Sequence, residues 1–81
     1  MNVTVRFFAR TRDLAGMESL VVNLPNGSTV ADLRLVLAEK LPALKNLLVH
    51  CALALDGDYA AADATLKDGS EVALLPPVSG G

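Results

Sequence analysis

A single main segment of this chain carries apolar residues at helical spacing, and that constrains the fold more than any other feature. Thr29 reads as a helix N-cap with Asp32 three positions later, close to a capping box. Val30, Leu33, Leu37 and Leu41 follow along one face, while Arg34, Glu39 and Lys40 lie off it. Pro42 has no N–H to carry the helix further and stops it. One striped helix cannot bury its own stripe, so a sheet has to cover it. The 81 residues give room for one small domain, and a hydrophobic content of 52% suffices for one core.

The flanking segments have the period of strands. From Asn2 to Phe8 the chain alternates, with Val3, Val5 and Phe7 on one face and Thr4, Arg6 and Phe8 on the other. Ala9 to Gly16 reads as a connection with one helical turn over 11–15, closed by Gly16. Glu18 to Leu24 is a second strand with Leu20, Val22 and Leu24 inward, ended by the turn residues Pro25, Asn26 and Gly27. Ala43 to Leu48 connects onward, its leucines packed on the body. Val49 to Leu55 reads as a third strand with Val49, Cys51, Leu53 and Leu55 on one face. Asp56-Gly57 is a hairpin signal leading to a short strand around Tyr59. Leu66 to Gly69 is a further turn, and Glu71 to Leu75 is the last strand, with Val72 and Leu74 inward. The fold class expected is α+β, a β-grasp (ubiquitin-like) arrangement with a mixed sheet of four to five strands on one main helix. Residues 1–75 form the domain and 76–81 an extended tail.

Composition excludes several kinds of function. Net charge is −2 and the seven Lys and Arg are scattered, so no nucleic-acid footprint is present. One cysteine allows no intramolecular disulfide, which fits a reducing compartment and a cytoplasmic location. Neither a signal peptide nor a membrane span is evident. One His and one Cys cannot supply the three or four ligands of a zinc site, so no metal is expected. His50-Cys51 is the sole pair resembling a base and a nucleophile. On a strand the two would face opposite ways, with Cys51 in the core and His50 in water. No Gly-rich phosphate loop and no paired carboxylates occur, so a self-sufficient catalyst is not expected.

The end of the sequence carries the functional information. Pro76-Pro77 follows directly on the apolar run of the last strand and biases the chain toward an extended exit. From Pro76 through Val78, Ser79, Gly80 and Gly81 the reach is at most roughly 20 Å, at about 3.3 Å per residue. Glycine has no Cβ, so the tip is thin enough to enter another protein's pocket. The α-carboxylate of Gly81 is a poor electrophile until ATP converts it to an acyl-adenylate, which an amine or a sulfur donor then attacks. With no nucleotide site in the chain, another protein has to perform the activation. Strand parity also sets Phe8, Tyr59 and Leu75 on the solvent side of the sheet. In a β-grasp sheet the first and last strands are neighbours, so a contiguous apolar patch is expected at the tail's root, a mark of a binding surface.

The chain resembles the molybdopterin synthase small-subunit family of ubiquitin-like sulfur carriers. The matching stretches run from Val5 to Ala9, from Thr29 to Leu33 and from Leu66 to Gly81, and the last is the specific one. Residues 60–64 depart from the family's pattern in their alanine content. The resemblance implies a non-catalytic, sulfur-donating subunit that binds no cofactor of its own. ATP acts through an adenylating enzyme related to ubiquitin activators, which converts Gly81 to an acyl-adenylate. A sulfurtransferase or desulfurase then yields a Gly81 thiocarboxylate. Docked on the large synthase subunit in a heterotetramer, the tail of Pro76, Pro77, Val78, Ser79 and Gly80 enters the partner's active site. The thiocarboxylate there donates sulfur to cyclic pyranopterin monophosphate in molybdenum cofactor biosynthesis. Phe8, Tyr59 and Leu75 fall in the partner-binding patch. The competing readings are a carrier for thiamin or another thiolation pathway, and a ubiquitin-like modifier that conjugates to lysines. Pro76-Pro77 favours the first, since thiamin-pathway carriers are usually shorter and usually lack it.

Overall fold

Thr29 starts the main helix in the way its sequence predicts. In the computed structural model, which describes residues 1–77, its hydroxyl accepts from the Asp32 N–H at 3.3 Å. The Asp32 carboxylate accepts from the Thr29 N–H at 2.9 Å, which completes a capping box. The remaining N–H groups of the first turn find partners in the alanine-rich segment. Val30 donates to the Ala64 carbonyl and Ala31 to that of Ala62. Small side chains at 60–64 let that backbone lie close to the helix end. The helix, α2, runs Val30–Lys40 and ends at Pro42.

Five strands form the sheet: β1 Asn2–Phe7, β2 Ser19–Asn23, β3 Ala52–Leu55, β4 Asp58–Tyr59 and β5 Glu71–Leu75. Their spatial order is β2-β1-β5-β3-β4. β1 and β5 are parallel, with Val5 opposite Val72 and Phe7 opposite Leu74, and every other pairing is antiparallel. The last strand thus lies at the centre, as the β-grasp arrangement requires. Two short helices complete the chain, α1 Arg10–Ala15 and α3 Lys45–Leu48, the latter entered through a 3-10 turn at Pro42–Leu44. Gly16 closes α1 in the left-handed conformation, its N–H donating to the Arg12 carbonyl.

The core sits between α2 and one face of the sheet. Val3, Val5, Phe7, Val22, Leu53, Val72 and Leu74 project from the strands and meet Val30, Leu33 and Leu37 from the helix. Each fully buried side chain of this size stabilises the fold by about 1.5–3 kcal/mol before chain entropy is set against it. Leu44, Leu48 and Leu66 close the ends of the core, as expected of the connection leucines and of the turn anchor at 66.

The third strand is shorter than the sequence predicts. Alternation over Val49–Leu55 places Val49 and Cys51 inward on a strand, but the chain stays helical to Leu48 and β3 begins at Ala52. Val49 is 75% exposed. Two causes, one local and one from another element, override the β preference of Val49. The 3-10 turn runs straight into α3, and each buries a leucine, Leu44 and Leu48. Arg34 then binds the end of α3, its guanidinium donating to the Leu48 carbonyl at 2.6 Å and to the Cys51 carbonyl at 2.8 Å. Those charge-assisted bonds hold the chain in a turn where a strand is expected.

Candidate docking surface at the tail root

The outer face of β3 and of the end of β5 is apolar, where an ordinary half-exposed sheet would be polar. Register places Arg6, Ala73, Ala54 and Tyr59 in one row across four strands, since Arg6 pairs with Ala73, Ala73 with Ala54 and Ala54 with Tyr59. Ala52 and Leu75 form the next row toward the tail. Phe8 follows directly on the last β1–β5 pair, Phe7 and Leu74, as Leu75 does on the other strand. Phe8 is 42% exposed, Tyr59 is 78% exposed, and Leu75 is half-buried.

The structure therefore brings Phe8, Leu75 and Tyr59 to one face, as expected, but not into one cluster. Tyr59 stands on the far edge strand, and the half-buried Ala52, Ala54 and Ala73 lie between it and the pair at the root. The methyl groups of Ala54 and Ala73 leave the face low beside Phe8, in a trough. Phe8, Ala54 and Ala73 line one shallow depression of about 370 Å³ together with Arg6, Asp56, Gly57 and Glu71. Arg6 and Glu71 pair across its rim at 2.6 Å. Both are more than half exposed, so this ion pair adds little to stability. The alanines are the part of this surface that strand parity alone misses. Their signal is the unbroken apolar runs Ala52–Leu55 and Val72–Leu75, whose outward positions carry no polar side chain.

The hairpin next to the trough is rigid for a legible reason. Asp56 and Gly57 both have positive φ, at 47° and 95°, the pairing that a two-residue type I′ turn requires. The Asp56 carboxylate accepts from the Glu71 N–H at 2.9 Å, and the Asp56 N–H donates to the Glu71 carbonyl at 2.8 Å. The turn between β3 and β4 is thereby tied to β5.

Where β1 leaves the sheet, Thr11 is fully buried although the sequence shows it only as part of a helical turn. Its hydroxyl accepts from the Phe8 N–H at 2.8 Å and lies 3.2 Å from the Leu74 carbonyl oxygen. Beside it Ala9 adopts φ 50°, ψ −120°, the first central position of a type II′ turn that favours glycine.

Cys51 is buried, as expected, but at the end of a helical turn rather than on a strand. Its thiol lies 3.3 Å from the Leu47 carbonyl oxygen. Burial pushes the thiol's pKa up and the Arg34 guanidinium pulls the other way, with burial the larger effect. A thiol held neutral is a poor nucleophile. His50 is exposed in the same turn. Among the described residues, no three His, Cys, Asp or Glu side chains gather as metal ligands, and no helix is long and apolar enough to cross a membrane.

Pro76 is half-buried and Pro77 exposed, directly after β5. The expected tail residues Val78, Ser79, Gly80 and Gly81 lie outside the described residues.

Comparison with known proteins agrees with this geometry. A model of the ThiS family matches residues 5–81. The molybdopterin synthase sulfur carrier subunit of Chlamydomonas reinhardtii is 36% identical over 83 residues, covering 100% of both chains. The crystal structure of SAMP1 from Haloferax volcanii superposes with a TM-score of 0.91 at 29% identity, again over 100% of both chains. A chain from the Helicobacter pylori complex of subunits 1 and 2 of molybdopterin-converting factor has a TM-score of 0.74 at 36% identity, over 100% of both chains.

Proposed function

This chain belongs to the ThiS family, and from that premise we propose that it is the sulfur carrier subunit of a molybdopterin synthase. Gly81 is the group that carries the sulfur. Its carboxylate attacks the α-phosphorus of ATP on an activating enzyme, releasing pyrophosphate and leaving an acyl-adenylate. AMP is a good leaving group, so the acyl carbon becomes open to attack. A sulfur nucleophile at the sulfide level, delivered by a sulfurtransferase or desulfurase, adds to that carbon. The bond to AMP breaks and a thiocarboxylate remains. On the large subunit the thiocarboxylate gives its sulfur to cyclic pyranopterin monophosphate, water supplies the replacement oxygen, and the carboxylate returns.

In this cycle the chain itself supplies docking and reach rather than catalysis. The trough between Phe8 and Tyr59, with Leu75 at its end, binds the partner. Pro76 and Pro77 direct Val78, Ser79 and Gly80 into the partner's active site. The observation that carries the reading is an apolar outer face, floored with alanines, that runs directly into Pro76-Pro77 ahead of Gly80-Gly81. The Helicobacter pylori complex supports pairing with a large subunit, since its relative there is solved bound to subunit 2.

A second reading has its own support. SAMP1 of the Haloferax volcanii comparison stands for small archaeal modifier protein 1, and an amine attacking the same adenylate gives an isopeptide instead of a thiocarboxylate. Reconstitution separates the two. The thiocarboxylated chain, mixed with a large subunit and the cyclic pterin, should form the dithiolene product. Failure to bind the large subunit, with lysine conjugates forming in the presence of activating enzyme and ATP, would favour the modifier instead.

A further inference from the structure

The parallel ladder between β1 and β5 has an irregular last rung. The Thr4 N–H donates to the Ser70 carbonyl at 2.9 Å. Rungs of this kind recur every two residues, so the series 4 to 70 and 6 to 72 continues with Phe8 N–H to the Leu74 carbonyl. The structure fills that rung with the Thr11 hydroxyl. It accepts from the Phe8 N–H at 2.8 Å and stands 3.2 Å from the Leu74 oxygen. The hydroxyl has one proton and also lies 2.8 Å from the Phe8 carbonyl oxygen. That oxygen also accepts the Thr11 N–H at 3.1 Å, and a carbonyl can accept two bonds, so the one proton is shared between the Phe8 oxygen and the Leu74 oxygen, whose place in the ladder the hydroxyl fills.

Inserting an oxygen into a rung spreads the two strand ends. A direct bond would hold the Phe8 nitrogen about 2.9 Å from the Leu74 oxygen. The bridge holds them apart by two bonds in series, and β1 peels away there into the strained turn at Ala9. Phe8 is turned outward at that point, and Leu75 and Pro76 follow directly on the other bridged residue. The hydroxyl, itself 63 residues from Leu74 in sequence, therefore joins two strand ends, and both adjoin the docking trough.

We propose that Thr11 is a positioning residue: its hydroxyl sets the spacing of Phe8 and Leu74 and so aims the tail that leaves at Leu75. The proposal rests on the sulfur-carrier reading above. Without the hydroxyl, either the direct rung closes or two buried polar groups lose their partner. Each outcome redirects Leu75 and Pro76, and a small angular error at the root grows along a tail of roughly 20 Å. A misplacement of about 1 Å at reacting atoms is enough to slow a reaction by roughly a hundredfold.

The test compares Thr11→Val, which keeps shape and removes the hydroxyl, with Thr11→Ser, which keeps the hydroxyl. Sulfur transfer from each thiocarboxylated chain is followed in complex with the large subunit. The rate at saturation should fall by about tenfold or more in Thr11→Val, while the half-saturating concentration moves less than about threefold. Thr11→Ser should recover the rate to within about twofold of the unmodified chain. An unchanged rate in Thr11→Val overturns the proposal, as does a loss that lies wholly in affinity, or a Thr11→Ser variant as slow as Thr11→Val. A thiocarboxylated wild-type chain that transfers no sulfur overturns the carrier reading, and this one with it. If Thr11→Val does not fold, hydrogen exchange on the unmodified protein decides. The Phe8 amide should be as protected as that of Thr4, and exchange at the rate of an open amide overturns the bridge.

Discussion

The two faces of the sheet are both apolar beside the tail root, and they are built from different side chains. Inward, β3 and β5 present Leu53, Val72 and Leu74, all at or near zero exposure against α2. Outward, the same strands present Ala52, Ala54, Ala73 and Leu75, all only half-buried. Large branched side chains interdigitate with a helix and leave no room for a second partner. Alanines cannot fill such a space, so the outer face stays open between the rings of Phe8 and Tyr59. Side-chain volume rather than hydropathy separates the face that folds the domain from the face proposed for docking.

Changes on the inner face should show the largest effect on folding. Leu33→Ala removes a fully buried side chain of α2 and should lower unfolding free energy by about 2–5 kcal/mol in a denaturant titration. A loss under about 1 kcal/mol would mean that the helix is not the main cover of the sheet.

An outer-face change should divide the other way. Leu75→Glu places a charge at the tail end of the proposed docking surface. Binding to the large subunit and to the activating enzyme should weaken by about 2 kcal/mol or more, roughly thirtyfold. The unfolding midpoint of the isolated chain should stay close to that of the unmodified protein. Equal affinity for both partners would place docking elsewhere, and an unfolded variant would erase the distinction between the two faces.

Most of this contrast is legible in the sequence, and its gaps have physical causes. Alternation in Val3, Val5 and Phe7 marks the inner face of β1, and the Thr29–Asp32 capping box marks the start of α2, because both signals are local. Asp56-Gly57 is equally local, since few residue pairs accept two positive φ values. The start of β3 was not legible. Val49 has the preference of a strand residue, and the guanidinium that holds its segment in a turn comes from Arg34 on another element. Thr11 was missed for the same reason, because its acceptor Leu74 lies far along the chain. The alanine floor was visible as composition but gained meaning only from the register that sets Ala73 beside Ala54.

Arg34 offers a sharper test of that long-range control. Arg34→Met keeps much of the side chain's length and apolar stem but takes the guanidinium donor from the Leu48 and Cys51 carbonyls, leaving Leu48 with the Cys51 N–H. It should destabilise the fold by about 1–3 kcal/mol. Amide exchange should rise first around His50 and Cys51, and a uniform loss of protection across the sheet would show that the turn is not controlled locally.

The smallest expected effect lies at Ala9. A non-glycine residue at φ 50°, ψ −120° is strained by about 1–3 kcal/mol, while glycine adds about 0.5–1 kcal/mol of unfolded-chain entropy. Ala9→Gly should therefore raise the thermal midpoint slightly, with a net gain between roughly zero and about 2.5 kcal/mol. A lowered midpoint would mean that the turn holds no relievable strain.

The central claim, that the domain serves to present Gly81 for sulfur, is tested most directly by mass. The chain is incubated with its activating enzyme, ATP and a sulfur donor, then digested, and its fragments are weighed. The account predicts replacement of one oxygen by sulfur in the fragment ending at Gly81, with Cys51 unmodified in its buried turn. Sulfur found on Cys51 with none at Gly81 would contradict it.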